Sequence, residues 1–247
     1  GTVRLALAGD RSNRSFMLAP HLARTAVKNG NLQTSIDAPL QRIASESLKR
    51  QVAELERQNV EDGAVLVLDN ATGEVLAWVG STGTLSGASQ IDFVTARRQA
   101  GSTLKPFLYA QALAEKKLTA ASLIDDSPVN LSTTAGLYMP QNYDRQFAGP
   151  VSVRMALASS MNIPAVRTAV MVSPERFFQQ LKSLGFTLRE SGDYFGYSIA
   201  LGSAEVSLLE LTNAYRALAN AGQWSAISIV KRSGTSKTTF PVIKKIP

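Results

Sequence analysis

The chain has no cysteine and one histidine, His21. The first absence excludes disulfides, thiolate nucleophiles and cysteine-based metal sites. The second excludes a multi-histidine metal site within one chain and leaves a Ser-His-Asp mechanism a single candidate base. A nucleophilic enzyme with this composition is expected to use a lysine, a carboxylate or a tyrosine as proton acceptor, with no metal and no cofactor. Nor is there an uninterrupted apolar run of the ~18 residues that a membrane-spanning helix needs. The most apolar region, Val151 to Val172, is broken by Arg154, Asn162 and Arg167. Gly1 to Asp10 lacks the basic start, apolar stretch and small-residue cleavage site of an export signal. Any targeting segment or anchor is therefore expected to lie outside this sequence.

What is present is a chain of 247 residues, 45% of them apolar, enough for a substantial core. The net charge of +7 suits a polyanionic partner such as nucleic acid, anionic lipid or an acidic wall polymer, without choosing among them. Lys231, Arg232, Lys237, Lys244 and Lys245 fall in a tail with no acidic residue, which reads most simply as a solvated tail. The basic residues form no recognition motif and are not interleaved with aromatics, so no nucleic-acid partner is expected.

Residues 1–34 are weakly periodic and read as a linker or the edge of a preceding domain, with one domain over 35–247. Asp37 as N-cap and Pro39 in the first turn precede Leu40, Ile43, Ala44, Leu48, Val52 and Leu55 at helical spacing, which predicts a long amphipathic helix. Two strand-like runs, Gly63–Leu68 and Glu74–Val79, flank the turn-forming Asp69-Asn-Ala-Thr-Gly73 and predict a hairpin, its first strand buried on both faces. Further helices are expected from Ser102 to about Lys117, at Val151–Ser160, Pro174–Leu184 and Ser207–Ala221, and a strand at Ala226–Val230. The fold class is α+β, an antiparallel sheet covered by helices.

The first chemical signal is Gly101-Ser-Thr-Leu-Lys105. One helical turn separates Ser102 from Lys105 and puts them on one face. The helix N-terminus and partial burial both push a lysine pKa down, and a neutral lysine accepts a serine proton. By spacing alone the pair is weak evidence, since about one chance Ser-x-x-Lys is expected in a chain this long. Ser228-Ile-Val-Lys231 is a second instance, in a strand-like run where residues three apart face opposite ways. The second signal is Ser160-Met-Asn162, where a hydroxyl and an amide can relay a proton and hold a substrate amide, or else end a helix. The third is Arg232-Ser233-Gly234-Thr235, in the place where Ser-x-x-Lys acyltransferases carry a Lys-Thr-Gly strand edge. An arginine there would hold a substrate carboxylate, and Gly234 would let the backbone approach an oxyanion; a polar basic turn is the competing reading.

From about Gly63 to Gly222 the sequence resembles the transpeptidase domain of class A penicillin-binding proteins, most closely the 1C type. The resemblance rests on ordered blocks: Asp69–Val79, Ala96–Phe107, Asn142-Tyr-Asp144, Gly149–Arg154, Ser160–Val166 and Ala200–Tyr215. It implies a serine β-lactamase/transpeptidase-like fold with C-terminal strands missing. It also implies that Ser102 attacks the carbonyl between the terminal D-alanines of a peptidoglycan stem peptide while Lys105 takes its proton. Ser160 would pass a proton to the leaving amine, Asn162 would hold the acyl-side amide, and the N–H groups of Ser102 and Thr235 would form the oxyanion hole. Stem peptides, β-lactams and other cell-wall synthesis proteins are the implied partners, and the periplasmic face of the bacterial inner membrane the implied location, reached through an N-terminal anchor absent from this sequence. A penicillin-recognising scaffold that does not turn over and a β-lactamase are the alternatives.

Overall fold

The computed structural model describes residues 2–6, 18–26, 31–133, 136–231 and 240–241. They fall into two compact units, one of residues 1–97 with 207–240, the other of 98–206 with 241–247.

In the first unit, β1 (Thr2–Ala6) pairs antiparallel with β2 (Asn31–Asp37), and α1 (Pro20–Ala26) lies between them in sequence. Helix α2 (Ala38–Glu54) starts where the sequence predicts, because the Asp37 carboxylate accepts from Leu40 N at 2.9 Å and Pro39 occupies the first turn. Its apolar stripe is narrower than expected: Ala44 and Val52 are buried, whereas Ile43 is 60% exposed.

The hairpin forms as β3 (Val65–Leu68) and β4 (Val75–Val79), closed by Asp69 N to Glu74 O and Gly73 N to Asp69 O, both 2.9 Å, with Gly73 at φ 73°. The expectation that the first strand is buried on both faces is corrected. β3 is half-buried throughout, and β4 supplies the buried Val75, Ala77, Trp78 and Val79. Helix α2 packs chiefly on β4, which β2 also contacts, and apolar composition cannot tell which of two paired strands lies inside. Ala19, Leu22, Ala23 and Ile36 join Val75, Trp78 and Val94 in one cluster, so the described part of 18–36 contributes to this core.

Ala226–Val230 does not form the expected strand. Ser228 makes one parallel bridge to Glu74, and its hydroxyl donates to Val230 O at 2.7 Å, a local bond that competes with a ladder. The unit also contains α8 (Leu208–Ala219), opened by a capping box between Ser207 and Glu210.

The second unit is built around α3 (Lys105–Ala114), with Phe107, Leu108, Tyr109 and Ala112 buried. It packs against α5 (Asn162–Val172) and α6 (Pro174–Ser183). A 3₁₀ turn, Gly101–Leu104, leads into α3, and β5 (Arg98–Gln99) before it pairs with β10 (Glu205–Val206). Strand β6 (Leu123–Asp126) pairs with β9 (Gly149–Ser152), and β7 (Leu131–Thr133) with β8 (Gly136–Tyr138). The helix expected at Val151–Ser160 is shorter, because β9 occupies its start. Only Val153–Ala158, α4, is helical, capped by Ser152 Oγ accepting from Met155 N at 3.3 Å.

Helix α5 is not among the helices expected from the sequence; it accommodates Pro164 because that residue sits in the first turn, where N–H groups have no intrahelical partner. The short α7 (Gly192–Phe195) precedes a 3₁₀ segment, Gly196–Leu201.

Candidate active site

Ser102 lies on the 3₁₀ turn and Lys105 is the first residue of α3. In a 3₁₀ turn residues three apart eclipse each other, so the pair is stacked more directly than an α-helical turn would stack it. The Lys105 N–H donates to Ser102 O, closing the turn. Two glycines hold the backbone that presents the serine. Gly101, at φ 57°, donates its N–H to Gly202 O at 3.0 Å. A Cβ on Gly202, itself at φ 75°, would lie 2.0 Å from Gly101 O. Gly202 is thus a site residue that sequence reasoning missed, although it sits inside the Ala200–Tyr215 block.

The two side chains occupy opposite environments. Ser102 is exposed, and its Oγ makes no hydrogen bond among the described residues. Lys105 is 1% exposed. Its Nζ donates to Ser160 O at 2.5 Å and Asn162 Oδ1 at 2.8 Å and lies 3.3 Å from Ser160 Oγ. Burial, which disfavours the ammonium, pushes the Lys105 pKa down to about 8. The structure thus brings Lys105, Ser160 and Asn162 together at the amine, while Ser102 lies on the turn that leads into Lys105.

Ser160 has φ 53°, a left-handed conformation that glycine usually takes. The cause is the end of α4. Met161 N bonds to Ala156 O at 3.0 Å and Ser160 N to Leu157 O at 3.1 Å, a Schellman arrangement with Ser160 at the left-handed position. The triplet therefore ends a helix and also faces Lys105. Asn162 opens α5, its Nδ2 donating to Gln141 O at 2.9 Å and its backbone N to Asn142 Oδ1 at 3.0 Å. Asn142 in turn donates to Asp126, a fully buried carboxylate with no obvious sequence signal. A cavity of about 540 Å³ opens beside Ser160 and Asn162, with Tyr143 and Phe147 among its lining.

Arg232, Ser233, Gly234 and Thr235 lie outside the described residues. His21 is buried in the first unit, where its Nε2 donates to Ser89 O at 3.0 Å. Among the described residues no three histidine, aspartate or glutamate side chains converge as metal ligands, and no helix is long and apolar enough to cross a membrane.

Residues 63–247 match the model of a family described as the penicillin binding protein transpeptidase domain. The chain is 34% identical over 212 residues to penicillin-binding protein 1C of Escherichia coli (strain K12), covering 83% of this chain and 27% of that protein. It is 36% identical over 165 residues to penicillin-binding protein 1A of Rickettsia bellii, covering 66% of this chain and 20% of that protein. This chain thus spans about a quarter of these relatives' length or less. Among solved structures it resembles penicillin-binding protein 1A from Haemophilus influenzae, with a TM-score of 0.62 and 28% identity over 72% of this chain and 26% of that one. A peptidoglycan glycosyltransferase from Burkholderia ambifaria gives a TM-score of 0.71 at 25% identity over 85% and 69%.

Proposed function

Because the chain belongs to the penicillin-binding protein transpeptidase domain family, we propose that it is a serine D,D-transpeptidase that cross-links peptidoglycan stem peptides and is acylated by β-lactams. One observation carries the reading: a buried amine with its pKa brought down to about 8, one helical turn from an exposed serine hydroxyl. A neutral amine has two N–H groups and one lone pair. Ser160 O and Asn162 Oδ1 can only accept, so they take the two N–H groups. The lone pair is left for a hydroxyl proton.

In the forward reaction Ser102 Oγ attacks the carbonyl carbon of the penultimate D-alanine while its proton passes to Lys105 Nζ. The Ser102 N–H, unpartnered among the described residues, meets the oxyanion together with the N–H of Thr235. Collapse breaks the C–N bond, and the Ser160 hydroxyl hands the leaving D-alanine amine its proton, replenished from Lys105. One Asn162 Nδ2 hydrogen is taken by Gln141 O, and the other is left to hold the acyl-side amide. Arg232 would hold the substrate carboxylate, and Gly234, after Ser233, would let the backbone approach the oxyanion. An amine of a neighbouring strand, or water, then releases the acyl group. Such work belongs at the periplasmic face of the inner membrane, where the wall is built, among other wall-synthesis proteins.

Intact-protein mass spectrometry with benzylpenicillin tests this reading. A stable adduct on the wild type and none on Ser102→Ala is the expected pair of results. Labelling of folded Ser102→Ala would refute it, rapid loss of the adduct would indicate a β-lactamase, and acylation without D-alanine release from a stem peptide would indicate a scaffold.

A further inference from the structure

Helix α5 begins without a side-chain cap from the residue before it, Met161. The cap comes from a distant residue. Asn142 Oδ1 accepts from Asn162 N at 3.0 Å and Ile163 N at 3.3 Å, taking two N–H groups that have no intrahelical partner. An amide can face either way, and here its neighbours all select one way: two N–H donors of α5 on one side, a buried carboxylate and the Gln146 carbonyl on the other. Asp126, 0% exposed, accepts from Asn142 Nδ2 at 2.7 and 3.0 Å, and from Ala148 N at 2.9 Å. The remaining Asn142 Nδ2 contact is to Gln146 O at 2.9 Å. Both Asp126 oxygens accept N–H bonds here, so the NH₂ faces Asp126 and the carbonyl oxygen faces α5. Were the amide reversed, its NH₂ would meet two N–H donors.

The chain of contacts continues to the chemistry, since Asn162 Oδ1 accepts from Lys105 Nζ at 2.8 Å. A buried carboxylate is expensive to desolvate, and an apolar pair could fill the same space without that penalty. We infer that Asp126 and Asn142 are positioning residues: they fix the first turn of α5, and thereby the Asn162 oxygen that holds the Lys105 amine ready for proton transfer. The inference rests on the proposed role of Lys105.

Two variants and two readouts test it. Asp126→Asn keeps the shape but replaces one accepting oxygen by an NH₂, which sets a donor against Asn142 Nδ2 or Ala148 N and loosens the hold on Asn142. Acylation by a fluorescent penicillin is resolved into non-covalent affinity and the acylation rate constant, with melting temperature measured alongside. The expected result is an acylation rate about ten- to a hundredfold lower, with affinity and fold retained. Asn142→Asp sets two carboxylates against each other, which retain the wild-type contacts only while they share a proton. Among the described residues the titratable groups nearest this pair are Tyr109 from α3, kept neutral first by burial and further by Asp126, and Asp144, which lines the same cavity as Asp126 and Asn142. Acylation by Asn142→Asp is therefore expected to fall as pH rises, in a range where the wild-type rate rises.

The second readout needs no reaction. The Lys105 midpoint, followed by NMR on isotopically methylated protein, should move in Asp126→Asn. Wild-type acylation kinetics together with an unmoved midpoint would overturn the inference. If wild-type protein never acylates at Ser102, the transpeptidase reading fails, and the midpoint in Asp126→Asn still decides whether the network holds the amine.

Discussion

If Lys105 is the base, its titration must be written into the acylation rate. With a midpoint of about 8, about a tenth of the amine is neutral at pH 7 and about nine-tenths at pH 9. The second-order rate of acylation by a β-lactam should rise about tenfold over that interval and level off above it. An unperturbed lysine, near 10.5, would be neutral in only about three molecules in ten thousand at pH 7, and its rate would climb about tenfold per unit to pH 10. Stability should move the same way for a linked reason. Below pH 8 both folded and unfolded states hold the proton, and the folded state bears the desolvation penalty. Between about 8 and 10.5 the unfolded chain still holds a proton that the folded one has released, so stability rises with pH, by roughly 3 kcal/mol at most. Stopped-flow acylation with a chromogenic cephalosporin and denaturant melts at each pH make both measurements. A flat rate from pH 6 to 10, or a midpoint above 10, would refute the reasoning.

Ser160→Gly removes a side chain from a left-handed position and should stabilise the fold by up to about 1 kcal/mol, while D-alanine release slows sharply; melting and product assays read the two effects. Gly202→Ala drives a Cβ to 2.0 Å from Gly101 O at a positive φ, and should abolish penicillin labelling with a lowered melting temperature, whereas Gly83→Ala, open at its Cβ, should keep labelling. Asn162→Asp puts a charge against Lys105 and should raise the acylation midpoint by about 1–3 pH units, leaving activity recoverable in alkaline buffer.

The serine–lysine pair was legible because its spacing is a covalent fact that either helical geometry turns into proximity. That Ser160 and Asn162 share a site with Lys105 came from the family resemblance and not from spacing. Ser160 and Asn162 lie 55 and 57 residues from Lys105, and only the packing of α3 against α5 brings them to its nitrogen. Ser160-Met-Asn162 offered two readings, cap or catalysis, and the structure makes them compatible, since the turn that ends α4 is what points the Ser160 carbonyl at the lysine. Local rules failed where a neighbour overrode them. Pro164 did not break α5 because its position needed no N–H, and the small-residue run from Val151 yielded its start to β9 because β6 pairs there. The hairpin, by contrast, was readable to within a residue or two, because its turn chemistry is local: Asp69 and Gly73 close it themselves.

The network around Lys105 separates two jobs that a single carboxylate would confuse. A carboxylate in direct contact would orient the amine well, and would also hold it charged and unable to accept a proton. Here the amine meets an amide and a backbone carbonyl, which orient it without neutralising its charge, so burial can bring the pKa down unopposed. The nearest fixed acid in the chain of contacts, Asp126, stands two amides away through Asn142 and Asn162. Amides transmit direction from one hydrogen bond to the next without placing a carboxylate against the amine. The buried acid can therefore make the base rigid without making it an ammonium, and Ser102, outside this network and exposed, is left free to meet the substrate.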